Sequence, residues 1–113
     1  MLSSYGSGDG VNRNGILIGA PSGTAIKAVH AGRVVFANWM RGFGNLLILD
    51  HGDGILTLYA HLQQIDVDPG QQVANGQTVG AVGNTGGQSR PALYFEVRQN
   101  GNPINPGNWI GKG

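Results

Sequence analysis

An all-β domain, an antiparallel sandwich or partly open barrel, is predicted by three features of the chain. Aliphatic runs of strand length follow one another with no helix-period segment between them. Asn-Gly, Asp-Pro-Gly and Gly-containing turn signals punctuate those runs. Glycine supplies 21 of 113 residues, well above the roughly 7% usual in proteins. Spread between aliphatic runs rather than massed in tracts, it disfavours helices and signals many tight turns.

Taken in order, the predicted strands cover 16–18, 25–29, 33–38, 45–50, 55–61, 73–74, 78–82 and 92–99. His30-Ala31-Gly32 predicts a tight hairpin between the second and third, with Gly at the positive-φ position. His51-Gly52-Asp53-Gly54 does the same between the fourth and fifth. Asp68-Pro69-Gly70 forms a turn because Pro fixes φ and Gly permits φ > 0. Asn75-Gly76 marks another turn, and Asn100-Gly101 closes the last strand. In that strand Leu93, Phe95 and Val97 alternate with Ala92, Tyr94 and Glu96, the period of a half-buried strand. With the aliphatic set facing a core, Ala92 and Tyr94 share the opposite face. A His-x-His pair there would offer two imidazoles to one zinc ion, whereas a methyl group and a phenol offer no usual zinc ligand.

At 113 residues the chain is one domain with a single modest core. The net charge of +1 is low and balanced, which leaves no electrostatic footprint for nucleic acid or an anionic membrane. Without cysteine there is no disulfide or thiolate chemistry. No apolar run approaches the ~18 residues of a membrane span, and no signal peptide is present. Residues 1–11, which include a Gly-Ser-Gly, read as a leader or shortened loop, and 12–113 as the domain.

Seven blocks in order resemble the LytM-type (lysostaphin-like) zinc endopeptidases, which cleave peptidoglycan cross-links. They are Asn14-Gly15-Ile16-Leu17-Ile18-Gly19-Ala20-Pro21, Gly23-Thr24-Ala25-Ile26-Lys27-Ala28-Val29, Gly32-Arg33-Val34-Val35, Asp50-His51-Gly52, Leu58-Tyr59-Ala60-His61-Leu62, Gly83-Asn84-Thr85-Gly86 and Leu93-Tyr94-Phe95-Glu96-Val97. The resemblance implies two zinc ligands in a His-x-x-x-Asp where this chain has Arg13 and Leu17. It implies a catalytic His and a third ligand in a His-x-His where this chain has Ala92 and Tyr94. Only His61 matches a family active-site His. A single general base with neither metal nor acid partner cannot polarise an amide carbonyl, so no enzyme, metal or cofactor is expected.

A narrower resemblance is to degenerate LytM domains of the EnvC type, the murein hydrolase activators. It rests on Ile16-Leu17-Ile18-Gly19-Ala20, on Arg41-Gly42-Phe43-Gly44, on the tract Gly86-Gly87-Gln88-Ser89-Arg90-Pro91-Ala92-Leu93-Tyr94-Phe95-Glu96-Val97-Arg98, and on Asn105-Pro106 with Trp109-Ile110-Gly111. This implies a periplasmic activator of a zinc-dependent N-acetylmuramoyl-L-alanine amidase, binding a regulatory helix of that enzyme in the degenerate active-site groove. The groove residues implied are Leu17, Phe43, Tyr59, His61, Arg90, Ala92 and Tyr94. His61 is placed on the strand face shared by Ile55, Thr57 and Tyr59. Arg90, held extended by Pro91, offers a bidentate partner for a carboxylate. Leu17, Phe43, Tyr59 and Tyr94 form an apolar trough suited to an amphipathic helix.

Other readings carry less. Residues 68–80 resemble half of a lipoyl or biotinyl carrier, but the only lysines, Lys27 in a strand and Lys112 at the chain end, are not at a hairpin tip. His51 between Asp50 and Asp53 reads as turn chemistry rather than a metal site, and His30 as solvated. A peptidoglycan-binding module without amidase activation is the alternative function. It is disfavoured because glycan and peptide recognition call for polar groove residues where these are apolar.

Overall fold

The computed structural model describes residues 15–87 and 89–104. The expected leader, Arg13 and Trp109 lie outside those residues. Among the described residues, nine strands and no helix follow in order: β1 (Ile16–Gly19), β2 (Ala25–Lys27), β3 (Gly32–Met40), β4 (Gly44–Gly52), β5 (Ile55–Ile65), β6 (Gln72–Val73), β7 (Thr78–Val82), β8 (Ala92–Gln99) and β9 (Asn102–Ile104). The main sheet runs β1-β8-β5-β4-β3-β6, every pairing antiparallel, with β7 and then β2 attached through β5 and β9 attached to β8.

The eleven-residue β5 holds this arrangement together. Residues 55–60 lie between β4 and β8. From Leu62 onward the strand pairs with β7 in place of β8, with a register shift between Leu62 and Gln64. The corner is His61, a non-glycine residue at φ 66°. That left-handed conformation breaks the two-residue alternation and carries the chain, with β7 and β2, across one face of the main sheet. Beneath them sits the principal core of Ile16, Ile26, Val34, Leu47, Leu49, Tyr59, Leu62, Val79, Phe95 and Val97, all nearly inaccessible.

Two turn assignments change. His30-Ala31-Gly32 does not make a hairpin, because β2 pairs with β7 and β3 with β4 and β6. Backbone bonds from Ala28 N to Gln77 O and from Gly76 N to Ala28 O extend the β2–β7 pairing. The turn residues of 30–32 instead carry the chain from one layer to the other. Asn100-Gly101 does not end the sheet. With φ values of 52° and 85° it makes the two-residue turn into β9, the geometry for which Asn-Gly is the strongest short signal.

At the β4–β5 end of the molecule, polar side chains lock the crossover. The His51 Nδ1 lies 2.8 Å from Ala31 O and Nε2 lies 2.7 Å from Thr57 Oγ1. Thr57 Oγ1 is 3.1 Å from the Tyr59 hydroxyl, which also accepts Val29 N–H at 3.3 Å. His51 therefore does the structural turn work expected of it, and the exposed His30 ring meets it edge-on at 6.2 Å.

The bend at His61 yields a stability test. His61→Val places a β-branched residue at a left-handed φ and is expected to cost roughly 1–3 kcal/mol more than His61→Gly, since both lose the imidazole and only one strains the backbone. Urea denaturation of the two variants measures the difference; equal midpoints and slopes would contradict a strained corner.

Candidate functional site: the second face of the sheet

The face of the main sheet away from the principal core is also apolar. Leu46, Leu58 and Ala60 are buried there, and Phe36, Phe43, Ile48, Leu56 and Tyr94 pack against them half-buried. Leu17 of β1 stands across from Tyr94 of β8, which in turn stands across from Ala60 of β5. The Phe43 and Tyr94 rings lie 6.2 Å apart, tilted at 45°.

One wall is built by the β3–β4 hairpin and the loop at 83–87. His61 N donates to Phe43 O at 2.8 Å. The His61 Nδ1 lies 2.7 Å from Thr85 O, while Thr85 Oγ1 donates to Leu62 O at 2.8 Å and accepts Asn45 N–H at 3.2 Å. The hairpin and loop approach so closely at Gly44 and Gly86, both at positive φ, that a Cβ on either would collide with the other's backbone.

His61 thus lies beside Tyr94, with ring centroids 6.4 Å apart. It reaches this face only because its left-handed φ reverses the alternation. Tyr59 is the corresponding correction. It stays in the regular part of β5 and points into the principal core, 1% exposed, its ring 5.3 Å from Phe95. The hydroxyl is satisfied internally, and burial pushes the phenol above its ordinary pKa, the Thr57 and Val29 bonds offsetting part of the shift. Ala92 is a second correction. It shares the face of Tyr94 by alternation but is fully buried, so it offers no contact surface. Leu17, Phe43 and Tyr94 are half-buried, and Arg90 is exposed in the bend before β8.

Sequence reasoning missed the polar edge of this face. Glu96, 1% exposed, accepts the Tyr94 hydroxyl at 2.7 Å and is ion-paired with the Arg98 Nε. The Arg98 side chain remains 35% exposed. Tyr94, Glu96 and Arg98 occur at every second position, so the strand period placed them on one face; nothing in the period indicated that the middle one is a buried carboxylate. The apolar floor was legible too, because 45–50 and 55–61 are apolar at both parities, the pattern of strands covered on both faces.

A tetrahedral zinc centre does not fit this face. Leu17 and Ala92 carry no donor atom, and the Tyr94 phenol bonds Glu96. Among the described residues no three His, Asp or Glu side chains converge. Two hollows at the far end of β5, around His30, His51 and Gly52, and an apolar cavity lined by Ile18, Ile26, Lys27 and Phe95 lie away from it.

The architecture is that of an all-β LytM-type domain, here with an apolar second sheet face. The chain belongs to peptidase family M23, whose model matches residues 11–106. It is 45% identical to the murein hydrolase activator EnvC of Escherichia coli over 87% of its own length and 23% of that protein. It is 41% identical to the murein hydrolase activator NlpD of the same organism over 94% of its length and 28% of NlpD. The chain therefore spans about a quarter of these curated relatives. Among solved structures, the catalytic domain of the antimicrobial peptidase lysostaphin from Staphylococcus simulans superposes with a TM-score of 0.85 at 31% identity, covering 94% of this chain and 87% of that one.

Alkaline titration tests the placement of Tyr59. With its folded pKa raised, the neutral phenol contributes stability fully present below the unfolded value of about 10 and lost as pH rises through the higher folded value. Wild-type stability should therefore fall above about pH 10. Tyr59→Phe, destabilised by about 1 kcal/mol near neutrality, should fall less steeply. Parallel curves for the two proteins would contradict the burial.

Proposed function

We propose that this domain is a non-catalytic activator of a periplasmic zinc-dependent N-acetylmuramoyl-L-alanine amidase. In this reading, the apolar face takes up the amidase regulatory helix and so promotes peptidoglycan cleavage during cell division. The observation that carries it is the Leu17–Tyr94 cross-strand pair. At the positions where the family resemblance implies metal ligands, Tyr94 packs into the apolar cluster of Leu46, Leu58 and Phe43, and Leu17 stands across from it on the neighbouring strand. Names of relatives that are murein hydrolase activators, and of the cell division protein DipM of Caulobacter vibrioides, support the same direction.

The physical logic is helix-in-groove recognition. Half-buried Leu17, Phe43 and Tyr94 are available to the apolar stripe of a helix, while Arg98, braced by Glu96, is available to a carboxylate on its polar flank. Arg90 stands exposed ahead of β8 as a second cation. His61 contributes a wall rather than a base. Activation is then a population shift: the face must bind the amidase with its helix released more tightly than with the helix docked. Moving that equilibrium from 1:99 to 99:1 requires a preference of roughly 10⁴-fold.

Dye release from purified peptidoglycan tests this with the domain alone, a purified periplasmic amidase alone, and the two mixed. Release is expected only in the mixture. Leu17→Asp, which puts a carboxylate on the apolar floor, and Tyr94→Ala should each lower it at least tenfold. Arg90→Glu should lower it with the melting temperature unchanged; a large loss of stability would place Arg90 in the fold instead. Chelator-sensitive release by the domain alone would contradict a non-catalytic role. Absence of release in every mixture, with retention of the domain on sacculi, would favour a peptidoglycan-binding module.

A further inference from the structure

The exposed large hydrophobic residues among those described are Val35, Trp39 and Met40, at 42%, 57% and 38% exposure. All three belong to one strand, β3. That strand is also an open sheet edge. β6 pairs only with Gly32 and Arg33, and two further backbone bonds reach Val34. From Phe36 to Met40 the side of β3 away from β4 has no strand partner among the described residues.

Edge strands are ordinarily blunted by charge, by proline or by shortness. Here β9 carries Pro103, β2 carries Lys27 in a three-residue strand, β6 has two residues and β1 four. Residues 34–40, Val-Val-Phe-Ala-Asn-Trp-Met, contain no charge and no proline. The irregularity near Val35 interrupts the edge at one end only. Exposed Arg41 follows Met40 directly, and Arg33 at the other end has Asp50 across from it as an offset. Among the described residues, the cation at the hairpin tip is thus Arg41, two residues from Phe43 on the apolar face.

We propose that the outer edge of β3 at 36–40 is a strand-addition site for an extended segment of the partner hydrolase, apolar in its middle and acidic where it passes Arg41. Backbone pairing supplies affinity, Trp39 and Met40 supply the side-chain contacts, and Arg41 sets the direction of the added strand. The proposal deepens the activator reading and rests on it, since it makes the contact bipartite: a helix on the apolar face and a strand on the adjoining edge. A second copy of this chain fits less well. Antiparallel self-pairing centred on Ala37 would set each Arg41 opposite the other copy's Arg33.

The test uses the full chain, a purified zinc amidase that it stimulates in dye release, and amide hydrogen exchange. Exchange at residues 36–40 should slow at least tenfold when the amidase is added. Trp39→Lys, an edge-blocking change at an exposed position, should raise the concentration needed for half-maximal stimulation at least tenfold while leaving maximal stimulation and melting temperature unchanged. Arg41→Glu should produce a similar rise that shrinks with added salt. Unchanged exchange together with unchanged half-maximal concentration would overturn the proposal. So would sedimentation showing a dimer of the free chain that Trp39→Lys dissociates. Tyr94→Ala separates the two readings: if it leaves stimulation unchanged while Trp39→Lys raises the half-maximal concentration, the edge stands and the helix-binding face fails.

Discussion

The bend of β5 at His61 is the constraint on which the rest of the molecule depends. Up to Ala60 the strand lies in the middle of the main sheet; beyond it the same strand carries β7, and through β7 the short β2, over the principal core. One residue at φ 66° makes the switch. The same torsion turns His61 away from the core and sends Leu62 into it. The strain is held by hydrogen bonds from both directions, the backbone N–H to Phe43 and the ring Nδ1 to Thr85. His61 is thus the corner post of the fold.

Because the bend covers only one face of the sheet, the other face must be managed by side chains. It is apolar across β1, β8, β5, β4 and β3, and its half-buried layer of Leu17, Phe36, Phe43, Ile48, Leu56 and Tyr94 leaves surface available to another molecule. Glu96 is the exception within it. A carboxylate 1% exposed survives there because Tyr94 and Arg98 satisfy it, and through it the phenol and guanidinium are held in place. Here the fixed elements are an aromatic pair, an aliphatic floor and a braced cation.

What the sequence disclosed follows from which features are local. Strand runs, the Asp-Pro-Gly turn at 68–70 and the β4–β5 turn depend on neighbouring residues, and they are where the pattern placed them. Asn100-Gly101 carried the correct hairpin signal, but only three residues of strand follow it, too few to show periodicity. The pairing of β2 with β7 joins segments about fifty residues apart, so His30-Ala31-Gly32 looked like a hairpin when judged by its own composition. The placement of Tyr59 on the wrong face has a sharper cause. Alternation counts parity, and a left-handed histidine inside a strand inverts parity without any glycine to announce it. Ala92 had the correct face, but its burial depends on packing that a single strand does not reveal.

The most direct measurement is amide and side-chain chemical-shift mapping of the full chain titrated with a purified periplasmic amidase. Perturbations concentrated on Leu17, Phe43, Leu46, Tyr94 and Arg98 are the predicted result, since these residues form the apolar face and its braced cation. Perturbations confined to the His30–His51 end of the sheet, with those residues unmoved, would contradict the assignment of that face as the site where the domain acts.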